Sequence, residues 1–228
     1  MHALQAGDSA PDFELPAVNR DGVVTLADYR SRHGVLVALF RGLHCPFCRR
    51  QIARLSATRE ALAREGVDTV AIVNTPLERA RQYFQYRPVR LELAADPDTR
   101  THQAFGLGKA AVLPDDADPN QVRWPQTTTI ATFIEVTTMP RPELPGAPPM
   151  NIFAAMDTLN KADGFAATEV DQRIAEAHGM QRTGHFLIDA AGTIRWAFIE
   201  APDGPEEVCR FPGDDEIIAA ARGLGAGR

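Results

Sequence analysis

The fold of this chain is decided by the stretch Val35-Leu-Val-Ala-Leu-Phe40 and the residues after it, Arg41-Gly-Leu-His-Cys-Pro-Phe-Cys-Arg-Arg50. The first six residues form a continuous apolar run, which is typical of a strand buried on both faces. An apolar stripe with helical spacing follows, formed by Cys48, Ile52, Leu55 and Leu62. Gly66 stands where the glycine after a helix belongs. The sequence therefore predicts a buried strand joined to a long helix by a turn that carries two cysteines.

Strand-like and helix-like segments alternate on both sides of this stretch. The remaining predicted elements are a strand at 67–74, a helix from Pro76, a strand at 91–93, a short helix reaching Phe105, a hairpin at 184–189 and 193–200, and a closing helix at 214–224. A β-α-β half followed by a β-β-α half is the outline of an α/β, thioredoxin-like fold, with a central mixed sheet flanked by helices. Residues 23–26 follow an Asp-Gly turn and add an N-terminal β extension.

We expect a single domain over residues 1–228, with a core at 5–107 and 182–224 and an insertion at 108–181. Eight of the 17 prolines fall between Pro114 and Pro149, which predicts an extended arm or loop. Two helices should follow, one using Ile152, Met156 and Leu159 and one running from Thr168 to His178. The insertion is interpreted as a local apolar cluster under a long loop. The alternatives are a lid over Cys45 and an arm around a second subunit, as in a homodimer.

Composition excludes several classes of protein. Hydrophobic residues make up 44% and charged residues 24% of the chain, as in ordinary globular proteins. The net charge is −6 and the basic residues are scattered, so nucleic acid is not an expected partner. No apolar run approaches the ~20 residues of a membrane span. Residues 1–20 show no signal-peptide pattern, and a cytoplasmic protein is expected.

The Cys-x-x-Cys unit predicts redox chemistry. Cys45 opens a helix, where unpaired N–H groups and the helix dipole favour a thiolate. Cys48 lies one turn later, with the Cα atoms roughly 5–6 Å apart, within the range for a disulfide. Cys45 is therefore the expected attacking sulfur and Cys48 the resolving one. Arg41 is a permanent charge beside the thiolate, and His44 is expected to tune it or relay a proton.

The alternatives for the two cysteines are a metal site or an inert pair in the core. A structural zinc site normally has four ligands, and no second Cys-x-x-Cys unit exists here. His44 beside Cys45 could complete a small copper or zinc site. Redox chemistry remains the favoured interpretation, and it needs neither a metal nor an organic cofactor.

Several further motifs resemble the peroxiredoxin family, the alkyl hydroperoxide reductase and thiol-specific antioxidant group. They are Gly7-Asp-Ser-Ala-Pro-Asp-Phe-Glu-Leu15, Val24-Thr-Leu-Ala-Asp-Tyr29, Phe40-Arg-Gly-Leu-His-Cys-Pro-Phe-Cys-Arg-Arg-Gln51 and Phe186-Leu-Ile-Asp-Ala-Ala-Gly-Thr-Ile194. The resemblance implies a thioredoxin fold and reduction of peroxides through Cys45, with an external thiol of thioredoxin or glutathione type as reductant. Thiol–disulfide exchange is the alternative activity, and a redox-sensing or metal-binding module without catalysis is a further one.

The chain departs from the family pattern around Cys45. Peroxiredoxins carry Thr or Ser three residues before the reactive cysteine and Pro seven before it, where this chain has Gly42 and Ala38. Where the family usually carries an arginine, this chain has Thr183 with Arg182 adjacent, and these two are expected to face the substrate. Cys209 lies near the position of a resolving cysteine in some peroxiredoxins. Since Cys48 is available, Cys209 is expected to be a spectator.

Three further histidines are assigned structural or surface positions. His102 and His178 belong to predicted helices and are expected at the surface. His185 alternates with the buried positions of its strand and is expected to be structural or exposed.

Overall fold

A five-stranded mixed sheet forms the centre of the computed structural model, which describes residues 2–136 and 143–225. The strands are β1 (Glu14–Pro16), β2 (Val23–Thr25), β3 (Gly34–Phe40), β4 (Val67–Val73), β5 (Glu92–Ala95), β6 (Ala111–Leu113), β7 (Thr127–Thr129), β8 (Gly184–Ile188) and β9 (Ile194–Ile199). The helices are α1 (Pro46–Arg64), α2 (Leu77–Gln85), α3 (Arg100–Ala104), α4 (Ile130–Val136), α5 (Ile152–Ala162), α6 (Glu169–His178) and α7 (Asp214–Gly225).

The strand order β5-β4-β3-β8-β9 confirms the thioredoxin-like arrangement. β3 pairs with β4 in parallel, as a crossover through α1 requires, and β4 pairs with β5 in parallel. β8 runs antiparallel to β3, and β9 closes the sheet as the antiparallel partner of β8. The predicted N-terminal extension is the antiparallel pair β1-β2.

β3 is buried at every position because the sheet is covered on both faces. Leu36, Ala38 and Phe40 point into the cluster formed with α1, α2, α5 and α7. The alternate residues Val35, Val37 and Leu39 point into a second cluster on the opposite face, which includes residues of the N-terminal extension. This double coverage explains the unbroken apolar run. Gly66, at φ +74°, follows α1 as predicted.

The segment 108–181 contains more regular structure than the proline count predicts. β6 and β7 form a parallel two-stranded sheet, and α4 follows β7 directly. The expectation of an extended arm or loop without helix is therefore wrong for residues 130–136. α4 forms because no proline occurs between Pro125 and Pro140, which leaves room for two helical turns.

The two other helices predicted in this segment are α5 and α6. Ile152 and Leu159 are buried on α5 as predicted. α6 begins with a capping box in which Thr168 and Asp171 each accept the other's backbone N–H. Among the described residues, no helix is long and apolar enough to cross a membrane.

Candidate active site

Cys45 lies at the carboxyl end of β3, where the chain turns into α1. It is the N-cap residue of α1, and its sulfur accepts the backbone N–H of Cys48 at 3.2 Å. Pro46 occupies the first helical position, where a missing N–H is harmless. Both cysteine side chains are only 1% exposed. The Cys45 sulfur is thus held at a helix N-terminus, as the motif predicts, and away from bulk water.

A buried ion pair lies beside this sulfur. Nη2 of Arg41 donates to both carboxylate oxygens of Glu200, at 2.8 and 2.7 Å. Nη1 of the same guanidinium lies 4.0 Å from Sγ of Cys45 and 3.5 Å from Sγ of Cys209. Burial lowers the pKa of Arg41, but the carboxylate of Glu200 and the nearby sulfurs outweigh this effect and hold the pKa well above its usual value. Arg41 is therefore a permanent cation shared by two sulfurs.

Glu200 fixes the position of this arginine. Its carboxylate also accepts the backbone N–H of Thr183 at 2.8 Å and the backbone N–H of Cys209. The carboxylate is completely buried, and its hydrogen bonds join β9, the start of β8 and the loop that carries Cys209. Glu200 was not predictable from the sequence because a lone acidic residue at the end of a strand carries no distinctive pattern.

The site holds one low-pKa sulfur and two thiols. Burial raises the pKa of Cys45, but hydrogen bonds from the thiols of Cys209 and Cys48 and the charge of Arg41 outweigh it, so this pKa lies well below its usual value. Burial and the hydrogen bond to Cys45 raise the pKa of Cys48. The hydrogen bond to Cys45, together with burial, raises the pKa of Cys209. The site therefore combines one sulfur of lowered pKa, Cys45, with two thiols of raised pKa, and the role of Cys45 as the attacking sulfur stays a prediction.

Cys209 is part of this cluster, a position that the sequence did not predict, and its expected role as a spectator in the redox cycle stays a prediction. It adopts φ +62°, an uncommon conformation for a residue other than glycine, and the Glu200 carboxylate holds its backbone N–H. The sequence could not predict the contact because 164 positions separate Cys209 from Cys45.

We expect Cys209→Ala to raise the pKa of Cys45, because the variant removes a hydrogen bond that favours the charged form. The pH dependence of Cys45 alkylation by iodoacetamide, followed by peptide mass spectrometry, measures this pKa. Cys209→Ser is the matched control, since its hydroxyl can still donate. An unchanged alkylation profile in the alanine variant would contradict the role assigned to this thiol.

His44 lies beside Cys45 with its imidazole 9% exposed. Neither ring nitrogen has a hydrogen-bond partner within the described part of the chain. Burial lowers the pKa of His44 to about 4, so the imidazole is neutral at pH 7. The lasting positive charge beside the thiolate comes from Arg41.

The two arginines that follow Cys48 contact the segment 108–181. Arg49 donates to the backbone oxygen of Leu43 and to the side chains of Asn160 and Asp163, and Arg50 also pairs with Asp163. These contacts fasten the segment 108–181 to the N-terminal part of α1.

The packing around Gly42 explains why no hydroxyl side chain stands there. A Cβ atom at this position would lie 2.8 Å from a methyl group of Ile174 and 3.0 Å from side-chain oxygens of Asn74 and Thr75. Residue 42 is therefore enclosed by α6 and by the two residues that follow β4, which leaves no space for a threonine. The departure from the family pattern follows from how the segment 108–181 packs on the active-site loop.

A cavity of about 500 Å³ opens above Cys45. Its floor carries Arg41, His44, Cys45 and Cys209, whereas Cys48 does not line it. Its walls are mainly apolar and include Val112, Trp124, Ile130, Ile152, Phe153 and Met156. These wall residues all belong to the segment 108–181. Trp124 ties this segment to the site through a hydrogen bond from Nε1 to the backbone oxygen of Ala201, at 2.7 Å.

Thr183 and Arg182 do not line this cavity. Thr183 is fully buried, its backbone N–H is bound by Glu200, and its hydroxyl has no hydrogen-bond partner among the described residues. Arg182 is 7% exposed. A role of these two residues toward the substrate stays a prediction. Within residues 2–136 and 143–225, no group of three or more His, Cys, Asp or Glu side chains is arranged to hold a metal ion.

The sequence is similar to a family model and to curated relatives. Residues 6–138 match the model of the AhpC/TSA family. Peroxiredoxin Bcp of Escherichia coli strain K12 is 31% identical over 108 residues, which cover 47% of this chain and 67% of the relative.

Solved structures share the fold at low identity. The peroxidoxin BcpB of Mycobacterium tuberculosis aligns with a TM-score of 0.56 at 15% identity, over 99% of both chains. A reduced 2-Cys peroxiredoxin of Plasmodium vivax aligns with a TM-score of 0.58 at 13% identity, over 98% of both chains. A thiol:disulfide interchange protein DsbE of Chlorobium tepidum, described as putative, aligns with a TM-score of 0.51 at 17% identity, over 96% of this chain and 99% of the other.

Proposed function

We propose that the Cys45 thiolate reduces peroxides inside the cavity above it. The premise is that this chain belongs to the AhpC/TSA family and is a peroxiredoxin-like thiol oxidoreductase. One observation carries the proposal. The low-pKa sulfur forms the floor of an apolar cavity, and a second thiol lies one helical turn away. This arrangement combines a nucleophile, a space for a small substrate and a partner for the oxidised sulfur.

The proposed cycle has three steps. The Cys45 thiolate attacks one oxygen of a hydroperoxide and the O–O bond breaks; the other oxygen takes up the hydroperoxide proton and leaves as an alcohol, and the sulfur becomes a sulfenate that water protonates to a sulfenic acid. The Cys48 thiol then displaces the sulfenic hydroxyl, which forms the Cys45–Cys48 disulfide and releases water. An external dithiol or two monothiols reduce this disulfide by thiol–disulfide exchange. Arg41 keeps Cys45 ionised in the first step.

Burial of the sulfur favours a small substrate. Cys45 is 1% exposed, and the segment 108–181 covers the approach to it. A peroxide with an apolar body fits the lining, whereas a folded protein disulfide would have to displace these walls.

Thiol–disulfide exchange is the second candidate function. A Cys-x-x-Cys unit with its first cysteine at a helix N-terminus is the arrangement that such chemistry uses. In that case the first product is a mixed disulfide at Cys45, which Cys48 resolves.

We further propose a thioredoxin- or glutathione-type thiol as the reductant, a cytoplasmic location and a homodimer as the functional unit. The first two suit a redox centre that must be returned to the dithiol state after each cycle. The homodimer is the alternative use of the segment 108–181 predicted from the sequence.

Stopped-flow reaction of the reduced protein with one equivalent of cumene hydroperoxide tests the proposal. We expect loss of two thiols at a rate far above that of a free thiol, with a Cys45–Cys48 disulfide identified by mass spectrometry. Cys45→Ser should show no fast phase, because it lacks the nucleophile. Cys48→Ser should react at a similar initial rate, since Cys48 acts only after the first step.

Two outcomes would redirect the proposal. A wild-type rate equal to that of an ordinary thiol, together with fast reduction of a small disulfide such as 4,4′-dithiodipyridine, would assign the protein to disulfide exchange. Slow reaction with both probes would leave a redox-sensing module without catalysis.

A further inference from the structure

The imidazole of His44 is a polar group without a protein partner in a place where substrate must pass. It is more than nine-tenths buried, and neither nitrogen finds a hydrogen-bond partner in the described residues. A buried polar group left unsatisfied is unfavourable, by about 1–3 kcal/mol in typical proteins. Such a group needs an explanation, and a catalytic role is one. The imidazoles of His102 and His185 are also without partners among the described residues, but of the three only His44 lines the cavity above Cys45.

Nε of Arg41 also has no partner among the described residues, but the other polar side-chain groups at the cavity are hydrogen-bonded or exposed to water. The Nη atoms of Arg41 contact Glu200 and the two sulfurs, and Nε1 of Trp124 donates to a backbone oxygen. Lys109 is exposed and donates to the backbone oxygen of Ala177, and Glu176 is exposed and can only accept. His44 lies on the cavity floor next to Cys45 and keeps its donor free.

We propose that His44 is a catalytic residue whose ring N–H donates a hydrogen bond to the peroxide oxygen that departs when the Cys45 thiolate attacks. This inference rests on the proposed peroxidase function and deepens it. A neutral imidazole carries one N–H and one bare nitrogen, so it can orient a hydroperoxide without adding a second charge to the site. The low pKa of His44 keeps it in this neutral form at pH 7.

The step balances without a further reactant. The thiolate sulfur bonds to the terminal oxygen of the hydroperoxide, and the O–O bond breaks with its electron pair going to the inner oxygen. The hydroperoxide proton passes to that oxygen, so the products are an alcohol and the Cys45 sulfenate. Cys45 is oxidised by two electrons and the peroxide is reduced. His44 stabilises the charge that develops on the departing oxygen, and its own proton stays on the ring.

The test compares wild type, His44→Phe and His44→Gln in two reactions of the reduced protein. Reaction with cumene hydroperoxide has a departing oxygen, whereas alkylation of Cys45 by iodoacetamide has none. We expect His44→Phe to slow the peroxide reaction about 10²-fold, as loss of one preorganised donor does in other enzymes. Alkylation should change less than about two-fold, because it reports thiolate reactivity without an oxygen to stabilise. His44→Gln should recover most of the peroxide rate, since its amide supplies an N–H.

Each result decides between the alternatives. An unchanged peroxide rate in His44→Phe would overturn the inference and leave the peroxidase function intact. Equal slowing of peroxide reduction and alkylation would also overturn it, because His44 would then act on the thiolate. Recovery of the peroxide rate in His44→Gln shows that the lower rate of His44→Phe comes from the missing hydrogen-bond donor and not from misfolding. A slow wild-type protein would instead reject the peroxidase function, and this inference with it.

Discussion

The Arg41→Met variant is expected to lose about 3–5 kcal/mol of the free energy of unfolding, the range for breaking a buried ion pair. The substitution keeps most of the side-chain volume but leaves the fully buried carboxylate of Glu200 without its cation. Two backbone N–H groups still bind this carboxylate, but neither carries a net charge. Equilibrium unfolding in urea measures the loss. The pKa of Cys45 should also rise, so its alkylation at pH 7 should slow.

A double-variant cycle separates the ion pair from simple loss of packing. In Arg41→Met/Glu200→Gln both charges are gone, and the amide oxygen of the glutamine can still accept a backbone N–H. We expect the double variant to be more stable than Arg41→Met alone, because it no longer buries an unpaired charge. If the double variant loses as much free energy of unfolding as the two single variants together, Arg41 and Glu200 are not energetically coupled.

Stability of the wild-type protein should fall steeply on acidification below pH 6.5, because buried histidines must stay neutral. Burial lowers the pKa of His185 to about 3, and burial together with the charge of Arg41 lowers the pKa of His102 to about 3. In the unfolded chain both titrate near 6.5. Between pH 6.5 and 3 the unfolded state binds more protons than the folded state. The contribution of the two neutral histidines to the free energy of unfolding is therefore fully present above pH 6.5 and is lost as the pH falls toward 3. Each histidine should contribute about 1.4 kcal/mol per pH unit between pH 6 and 4.

His185→Phe is the control for this effect. The ring of His185 packs among Phe40, Phe198 and Phe211, with ring centroids 5.3–6.2 Å away, so an aromatic hydrocarbon of similar shape suits the site. Urea unfolding at pH 7, 6, 5 and 4 gives the free energy of unfolding as a function of pH. The slope of this plot should be smaller in the variant than in the wild type, by about 1.4 kcal/mol per pH unit. Equal slopes in the variant and wild type would mean that His185 takes up protons in the folded state.

Periodicity predicted the elements that build the sheet and the turn that carries the thiolate. β3, α1 and β8 bury whole runs or regular stripes of apolar residues, and such patterns are local. The low pKa of Cys45 was predictable for the same reason, because the helix N-terminus, the second cysteine and Arg41 all lie within eight residues.

Features that depend on distant contacts were not predictable. Cys209 and Glu200 reach the site through the tertiary fold, and neither stands in a distinctive local pattern. His102 was expected at the surface, but it is fully buried. The prediction was wrong because α3 has only five residues, and so short a helix has too few apolar positions to show which of its faces is buried. The helix α4 was not predicted because the prolines that flank it suggested a loop, although none of them lies within the helix.

The division of the cavity between two parts of the chain has a consequence for how this protein can diversify. The floor, with its ion pair and sulfurs, comes from the sheet and its loops, whereas the apolar walls come from the segment 108–181. Val112, Ile130 and Phe153 line the cavity and are exposed. Substitutions there would alter which molecules enter while leaving the nucleophile as it is. The apolar walls and the sulfur cluster therefore stand mainly on separate stretches of sequence, so the lining of the cavity can vary while the Cys-x-x-Cys turn is kept.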